Sequence, residues 1–584
     1  MRRLSSVVAL AAALAGGYAF AEGIPQVAVC AVEPMSGVRR TGAKPDDGDF
    51  VGPMRLVAAG GEYEPGSLML MSAVGAKDVM VEPGELKGPD GAVLPAAAFD
   101  VRIVKVWYQQ GSAWGSFFSD PLRRVETPEL LLHDDELVRV DRTERENFLR
   151  CDEGDGTRYR WISFEGAVSD HTPDGAVLPK WVHDADSLRP FALEKGVWRQ
   201  VFVTVRVPCG QAAGVYRGEI AVSVGGARAA AFPIAVRVLP FDLPQPKTLR
   251  DLSRPFMCVP YVGNMSPADN PKIARSMSAH NVRNYIDLRG IPTRERAEAV
   301  KRAHDAAGLD NTRLFAALPR CNLKTSYPAD PSDAAYGRHV AARAAVSNAV
   351  SFLREVFGPD VRLYSYGIDE GSAATVRQER DTWRMVHGFG GRTMTASHYH
   401  PYLLFNLDFP IVPRAPRHAK RTVATDIHTA NPEALVGWYA DPHAGPENPD
   451  YARRLYGWLT WRNDYDCSAQ YILFRDNWND FYVSAEPLIR GIVLVYPADG
   501  AVLDTLQYEG LREGMDDVRY LTYLCELIAE ARASADVETS YAARAAATWI
   551  AQVDCEHAAL DALRLEAISR ILDLRSRLGK EVRE

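Results

Sequence analysis

The sequence predicts a multidomain α/β plus β protein: an N-terminal β-sandwich, a central (β/α)8 TIM-like barrel, and C-terminal helices packed on the barrel. Three observations lead there. The chain has 584 residues, too many for one hydrophobic core. Up to about residue 239 the apolar residues alternate or run in short β-branched stretches between Gly, Pro and Asp, with no long amphipathic helix, which is sandwich patterning. Beyond a proline-rich junction the pattern becomes strand, helix, strand, and after about residue 501 it keeps a 3.6-residue period.

Taken in order, Met1-Arg2-Arg3, the apolar run Val7 to Gly17, and Ala19-Phe20-Ala21 before Glu22 have the charged, apolar and A-x-A parts of a signal peptide (residues 1–21) cut after Ala21. The apolar run is shorter than the roughly 20 residues that span a bilayer, so a secreted, periplasmic or envelope protein without membrane insertion is expected. Residues 22–239 form the sandwich, with strand signals at 98–108, 199–207 and 218–224. A charged, less regular insertion at about 111–193 is expected to fold over one face. Leu239-Pro240-Phe241-Asp242-Leu243-Pro244-Gln245-Pro246 cannot continue a central strand and reads as a rigid linker.

Residues 247–500 carry candidate strands at 254–259, 282–287, 312–318, 362–368, 392–397, 408–413, 435–440 and 467–474, with helical stretches such as 335–357 and 449–462 between them. Eight strands over roughly 220 residues match a (β/α)8 barrel. An open doubly wound sheet competes, but no G-x-G-x-x-G turn is present. In 501–584, helices with apolar faces and Arg/Glu on the other side are expected at 508–533, 540–553 and 558–578, with Arg512, Glu513, Asp516 and Asp517 as structural charges in which Arg512 can meet Asp516.

Composition narrows the function. The net charge of −8 and the lack of a long basic block exclude a nucleic-acid binder. None of the eight cysteines forms a C-x-x-C pair, which argues against a structural zinc site; disulfides and buried thiols both stay open. No cofactor is called for.

The chemical centre is expected at Asp369 and Glu370. Val361 to Ile368 reads as a buried strand ending abruptly in these two acids, and chemistry in a barrel sits where strands end. The bland alternative is that they only begin the next helix. Carboxyls one residue apart resist ionising together, which suits one as proton donor and the other as anion. Consecutive strand residues point to opposite faces, so both can serve one site only if the strand is already breaking at Asp369. Trp438, Tyr439 and Asp441 end the seventh strand and Trp478 follows the eighth; all four are candidate substrate contacts, with barrel packing as the competing role for the aromatics, and Tyr366, which precedes the rim, reads as core. His398 and His400 follow the fifth strand. They are expected to hydrogen-bond substrate hydroxyls, while a rival mechanism has them bind a metal with Asp369. The favoured reading has no metal.

Several stretches together resemble glycoside hydrolase family 123 and the related domain-of-unknown-function-4091 proteins. They are Gly61-Glu62-Tyr63-Glu64-Pro65, Leu130 to Leu137, Asp184 to Pro190, Ala213 to Gly218, Tyr366-Gly367-Ile368-Asp369-Glu370, Leu494 to Pro497 and Glu509 to Asp517. The resemblance spans nearly all of the mature chain. It implies the sandwich-plus-barrel architecture and retaining hydrolysis of N-acetyl-β-D-galactosaminides by Asp369 and Glu370. Glu370 would be general acid and then base, and Asp369 would steer the substrate's 2-acetamido group so that its carbonyl oxygen attacks the anomeric carbon. The family commonly reads Asp-Glu-Pro, and this chain has Gly371. The expected partner is a glycan. A non-catalytic carbohydrate-binding protein on the same barrel is the second hypothesis.

Overall fold

The computed structural model describes residues 27–46, 50–110, 123–153, 156–163, 182–263, 266–321, 323, 328, 330–397, 407–413, 422–439, 448–474, 478, 493–499 and 501–581. Its N-terminal part holds two sheets. One has six strands in the order Phe50–Gly52, Val27–Val32, Glu62–Ser72, Arg199–Val207, Phe99–Gln109 and Val125–Leu132. The other is built around Ala76–Pro83, Gly214–Val224, Ala227–Asp242 and Met54–Gly60. The period of two decides what each strand buries. Val201, Val203, Val205 and Val207 enter a core shared with Val79, Val81, Tyr216, Ile220 and Val236 of the second sheet, while Phe202 turns the other way, toward Val104, Leu131 and Leu506.

A three-stranded sheet, Val138–Asp141, Glu146–Glu153 and Gly156–Trp161, falls within the expected insertion. The junction differs from expectation: the strand Ala227–Asp242 runs through Leu239 and Pro240. Pairing with Gly214–Val224 ends at Val238, so the missing N–H of Pro240 removes no bond from that ladder.

The second half is a mixed assembly of helices around a parallel sheet. Seven strands pair in the order Met257–Cys258, Cys467–Ser468, Gly437–Trp438, Phe409–Val412, Arg392–Ala396, Arg362–Tyr366 and Arg313–Leu318. The stretch predicted as the second strand contributes single-residue parallel bridges from Ile286 to Tyr261, three residues past the first strand, and to Phe315 of the last strand in this order, and the sheet curls into a ring. Pro260 has no N–H to give, and pairing there is limited to Ile286 N–H to the Pro260 carbonyl and Val262 N–H to the Ile286 carbonyl.

The helix Leu506–Arg532 departs from the expected two-faced pattern: every residue from Leu506 to Thr522 is buried. It lies so close to the stretch 449–462 that a Cβ on Gly457 would sit 2.4 Å from the Gly514 carbonyl oxygen, and one on Gly510 would sit 2.3 Å from that of Pro449. The expected contact between Arg512 and Asp516 is replaced: Arg512 pairs with Glu509 and Asp516 with Arg519. The remaining helices are Val537–Gln552 and Leu560–Arg577. No described helix is long and apolar enough to cross a membrane, and all eight cysteines are free thiols.

Candidate active site

The strand Arg362–Tyr366 carries the acids to the opening of the ring. Tyr364 and Tyr366 face the interior with Phe315, Met394, Ala396, Phe409 and Ile411, and Leu363 packs outward against Val346, Val350 and Leu353. The chain then leaves the ladder. Gly367 N–H donates to the Met394 carbonyl at 2.8 Å, and Glu370 N–H to that of Ala396 at 2.9 Å, while Ile368 N–H donates to the Glu379 carboxylate at 2.8 Å. A Cβ on Gly367 would lie 2.5 Å from Glu379 Oε2, so a side chain here would push away the carboxylate that receives the Ile368 N–H. Glu370 has φ of +46°, a left-handed conformation that costs a non-glycine residue about 1–2 kcal/mol. That kink breaks the strand alternation, as a shared site requires. A Cβ on Gly371 would meet Ile368 and Val376 at 2.8 and 2.9 Å, which accounts for glycine where the family pattern has proline.

Both acids are exposed, and neither is ion-paired among the described residues. Each instead accepts from a tyrosine. Tyr366 Oη donates to Asp369 Oδ1 at 2.8 Å, and Tyr439 Oη donates to Glu370 Oε1 at 2.5 Å. Tyr261 Oη lies 2.8 Å from Tyr366 Oη; the Tyr366 proton goes to Asp369, so Tyr261 is the donor there. Burial, together with the carboxylates beside them, pushes the Tyr366 and Tyr439 hydroxyls far above the usual phenol range, which keeps both as donors. Withdrawal of the Asp369 carboxyl from water against the ring wall raises its pKa above the ordinary value. The Tyr366 hydroxyl opposes that rise, the negative charge of Glu370 adds to it, and Arg320 opposes it. Tyr261, Glu370, Tyr439 and the exposed Tyr471 all follow the C-terminal ends of parallel strands, the end where loops converge in such rings.

The other expected contacts divide. Tyr439 reaches the site, but only 8% exposed, and it offers its hydroxyl to Glu370 where a ring face for substrate was expected. Trp438 and Trp478 do not reach it: they are 0% and 1% exposed. Trp438 stacks on Tyr456 and donates to Thr460 Oγ1 at 2.8 Å, because its side chain points outward to the helices. Trp478 stacks on Tyr496 and donates to the Pro497 carbonyl at 3.1 Å. Burial and saturated N–H groups make both packing residues. Asp441, His398 and His400 lie outside the described residues. Sequence reasoning missed Tyr261 and Tyr471, and it assigned Tyr366 to the core when the ring is core and the hydroxyl is site. The signal was there: each is a tyrosine at or just past the end of a parallel strand.

In fold, the chain resembles a family 123 glycoside hydrolase. The structure aligns with that enzyme from Clostridium perfringens, described for glycolipid glycan hydrolysis, at a TM-score of 0.60 and 11% identity, covering 95% of this chain and 98% of that one. At that identity the likeness is one of fold. A Parabacteroides merdae β-glucuronidase aligns at a TM-score of 0.30 and 10% identity over 77% of this chain and 66% of its own, and Bacteroides uniformis β-glucuronidase 3 at 0.24 and 7% over 85% and 52%; both are too remote to bear on the site. No family model matches the sequence, and no curated protein matches it.

Proposed function

We propose that this chain is an exported, cofactor-independent glycoside hydrolase acting on β-linked N-acetylhexosamine, of the N-acetylgalactosamine type, by a retaining, substrate-assisted route. The observation that carries the reading is the pair of exposed neighbouring carboxyls at the C-terminal end of the parallel ring, each held by a tyrosine hydroxyl and, among the described residues, without an ion pair. In this reading Ile286 stands for the eighth strand of a (β/α)8 barrel, and the two N-terminal sheets form its β-sandwich. The domain order is leader 1–21, sandwich 22–239, barrel 247–500 and helical region 501–584. The fold likeness to a hydrolase of glycolipid glycans supports the substrate class.

The hydrogen bonds suggest how the acids divide the work. Glu370 Oε1 is engaged by Tyr439, which leaves Oε2 to carry the proton delivered to the glycosidic oxygen. Asp369 Oδ1 is engaged by Tyr366, which leaves Oδ2 to accept from the N–H of the 2-acetamido group. The acetamido carbonyl oxygen then bonds to the anomeric carbon as the glycosidic bond breaks, giving a cyclic oxazolinium and the free alcohol. Water, deprotonated by Glu370, opens the ring with net retention. Tyr471, 38% exposed and edge-on to Tyr261, supplies an aromatic face at the rim.

The test is hydrolysis of aryl glycosides by purified protein. Aryl β-N-acetylgalactosaminide should turn over, and the 2-hydroxy analogue should not, because it lacks the internal nucleophile. Equal turnover of the two would overturn the substrate-assisted step. Sugar binding without turnover of any aryl glycoside or polysaccharide would favour the carbohydrate-binding alternative.

A further inference from the structure

Away from the ring opening, three metal-ligating side chains converge where the N-terminal sheets, the ring helices and the long helix meet. His280 caps the helix Pro271–Ala279, Asp504 follows the strand Ala501–Leu503, and Glu509 lies in the first turn of Leu506–Arg532. A ligand atom from each lies within 4.8 Å of the other two, and the residues are 3%, 6% and 3% exposed.

The histidine is set up as a ligand. His280 Nδ1 lies 2.8 Å from the Ser276 carbonyl oxygen, which can only accept, so Nδ1 carries a proton and Nε2 is the nitrogen turned toward the two acids. A backbone carbonyl on the far nitrogen is the usual way a metal-binding imidazole is oriented. Stacking on Tyr508, with ring centroids 3.7 Å apart, fixes the plane. Nε2 has no hydrogen-bond partner. Its neighbour Glu509 Oε1 is 3.6 Å away, too far for a hydrogen bond. It is close to the edge of a zinc tetrahedron, about 3.4 Å for bonds of about 2.0–2.1 Å. Arg102 occupies Asp504 Oδ2 and Arg512 occupies Glu509 Oε2; Glu509 Oε1 is left for an ion, and Asp504 Oδ1 receives only a long hydrogen bond from the Ser276 hydroxyl at 3.4 Å, which an ion would displace. Each guanidinium is also drawn toward a further carboxylate, Arg102 to Asp100 and Arg512 to Glu513.

We propose that His280 Nε2, Asp504 and Glu509 bind a divalent transition-metal ion, zinc by this donor set, as a structural tie between the three segments, separate from Asp369 and Glu370. A proton on Nε2 is the rival occupant, and it would face an acceptor beyond bonding distance.

Full-length protein stripped with EDTA, shown to be folded by circular dichroism and dialysed against zinc, should retain about one zinc per chain by mass spectrometry and melt at higher temperature than the stripped form. His280→Ala should lower retention at least about 10-fold, and Glu370→Gln should retain it in full. Cobalt in place of zinc should give the visible bands of a low-symmetry, four-coordinate ion in the wild type, a readout that needs no variant. Folded wild type that binds neither ion, or that binds one equivalent which His280→Ala keeps, overturns the site.

Discussion

Two pairs of adjacent acids in this molecule have opposite fates. Asp516-Asp517 sits inside the long helix, 0% and 1% exposed. Asp517 receives Arg453 at 2.8 and 3.0 Å, Arg564 at 2.6 Å and the Trp458 N–H at 3.1 Å, and Asp516 receives Arg519 at 2.7 Å and Asn281 at 2.9 Å. Asp369-Glu370 is exposed, and its partners are neutral hydroxyls. A buried carboxylate bound by guanidiniums, as Asp517 is on both oxygens, gives up neither its charge nor its lone pairs, so it can only hold the fold. One oriented by a phenol keeps a free oxygen and a reachable proton, which acid–base chemistry requires.

The largest expected contrast comes from breaking the buried pair. Asp517→Ala leaves Arg453 and Arg564 without their shared acceptor, and removing one partner of a buried ion pair costs about 3–5 kcal/mol. Urea denaturation of the variant should show that loss, while turnover per folded molecule stays near wild type. A variant as stable as wild type would mean these arginines find other acceptors, and the division between the two pairs would blur. Glu370→Gln should do the reverse: a loss of at least about 10²-fold in kcat, the scale of general acid catalysis, with an unchanged urea midpoint. Unchanged turnover would remove Glu370 from its role.

Much of this was readable beforehand, and the misses share a physical cause. Strand positions followed from apolar runs between turn residues, and the acid pair followed from its place at a strand end. Orientation around the ring is a parity count from the last paired residue, and the sequence does not mark that residue. The strand Gly437–Trp438 is only two residues long, so Trp438 faces the helices and Tyr439 faces the ring, although both looked equivalent as aromatics at a strand end. The long helix misleads in another way. Its Arg, Glu and Asp residues mimic a solvated face, but glycines at 510 and 514 let its neighbour approach closely, and the charges neutralise one another inside.

The smallest expected effect sharpens the comparison most, because it asks whether the tyrosines tune the acids or merely pack. Asp369 must be ionised to accept the substrate amide, so kcat/KM should be present above its pKa and lost as pH falls through it. Partial withdrawal of the carboxyl from water has already raised that pKa, and the Tyr366 hydroxyl holds the rise in check. Tyr366→Phe removes the donor and keeps the ring, so the Asp369 pKa should climb further and the acidic limb should move to higher pH. A hydrogen bond to a charged acceptor contributes about 1.5 kcal/mol at the low end, appropriate for an exposed carboxyl, which corresponds to about one pH unit. Activity well above the limb should change little, since Glu370 and Tyr439 are untouched. A limb that stays in place while kcat falls at every pH would make Tyr366 a packing residue, and the neutral-donor account of the site would then rest on Tyr439 alone.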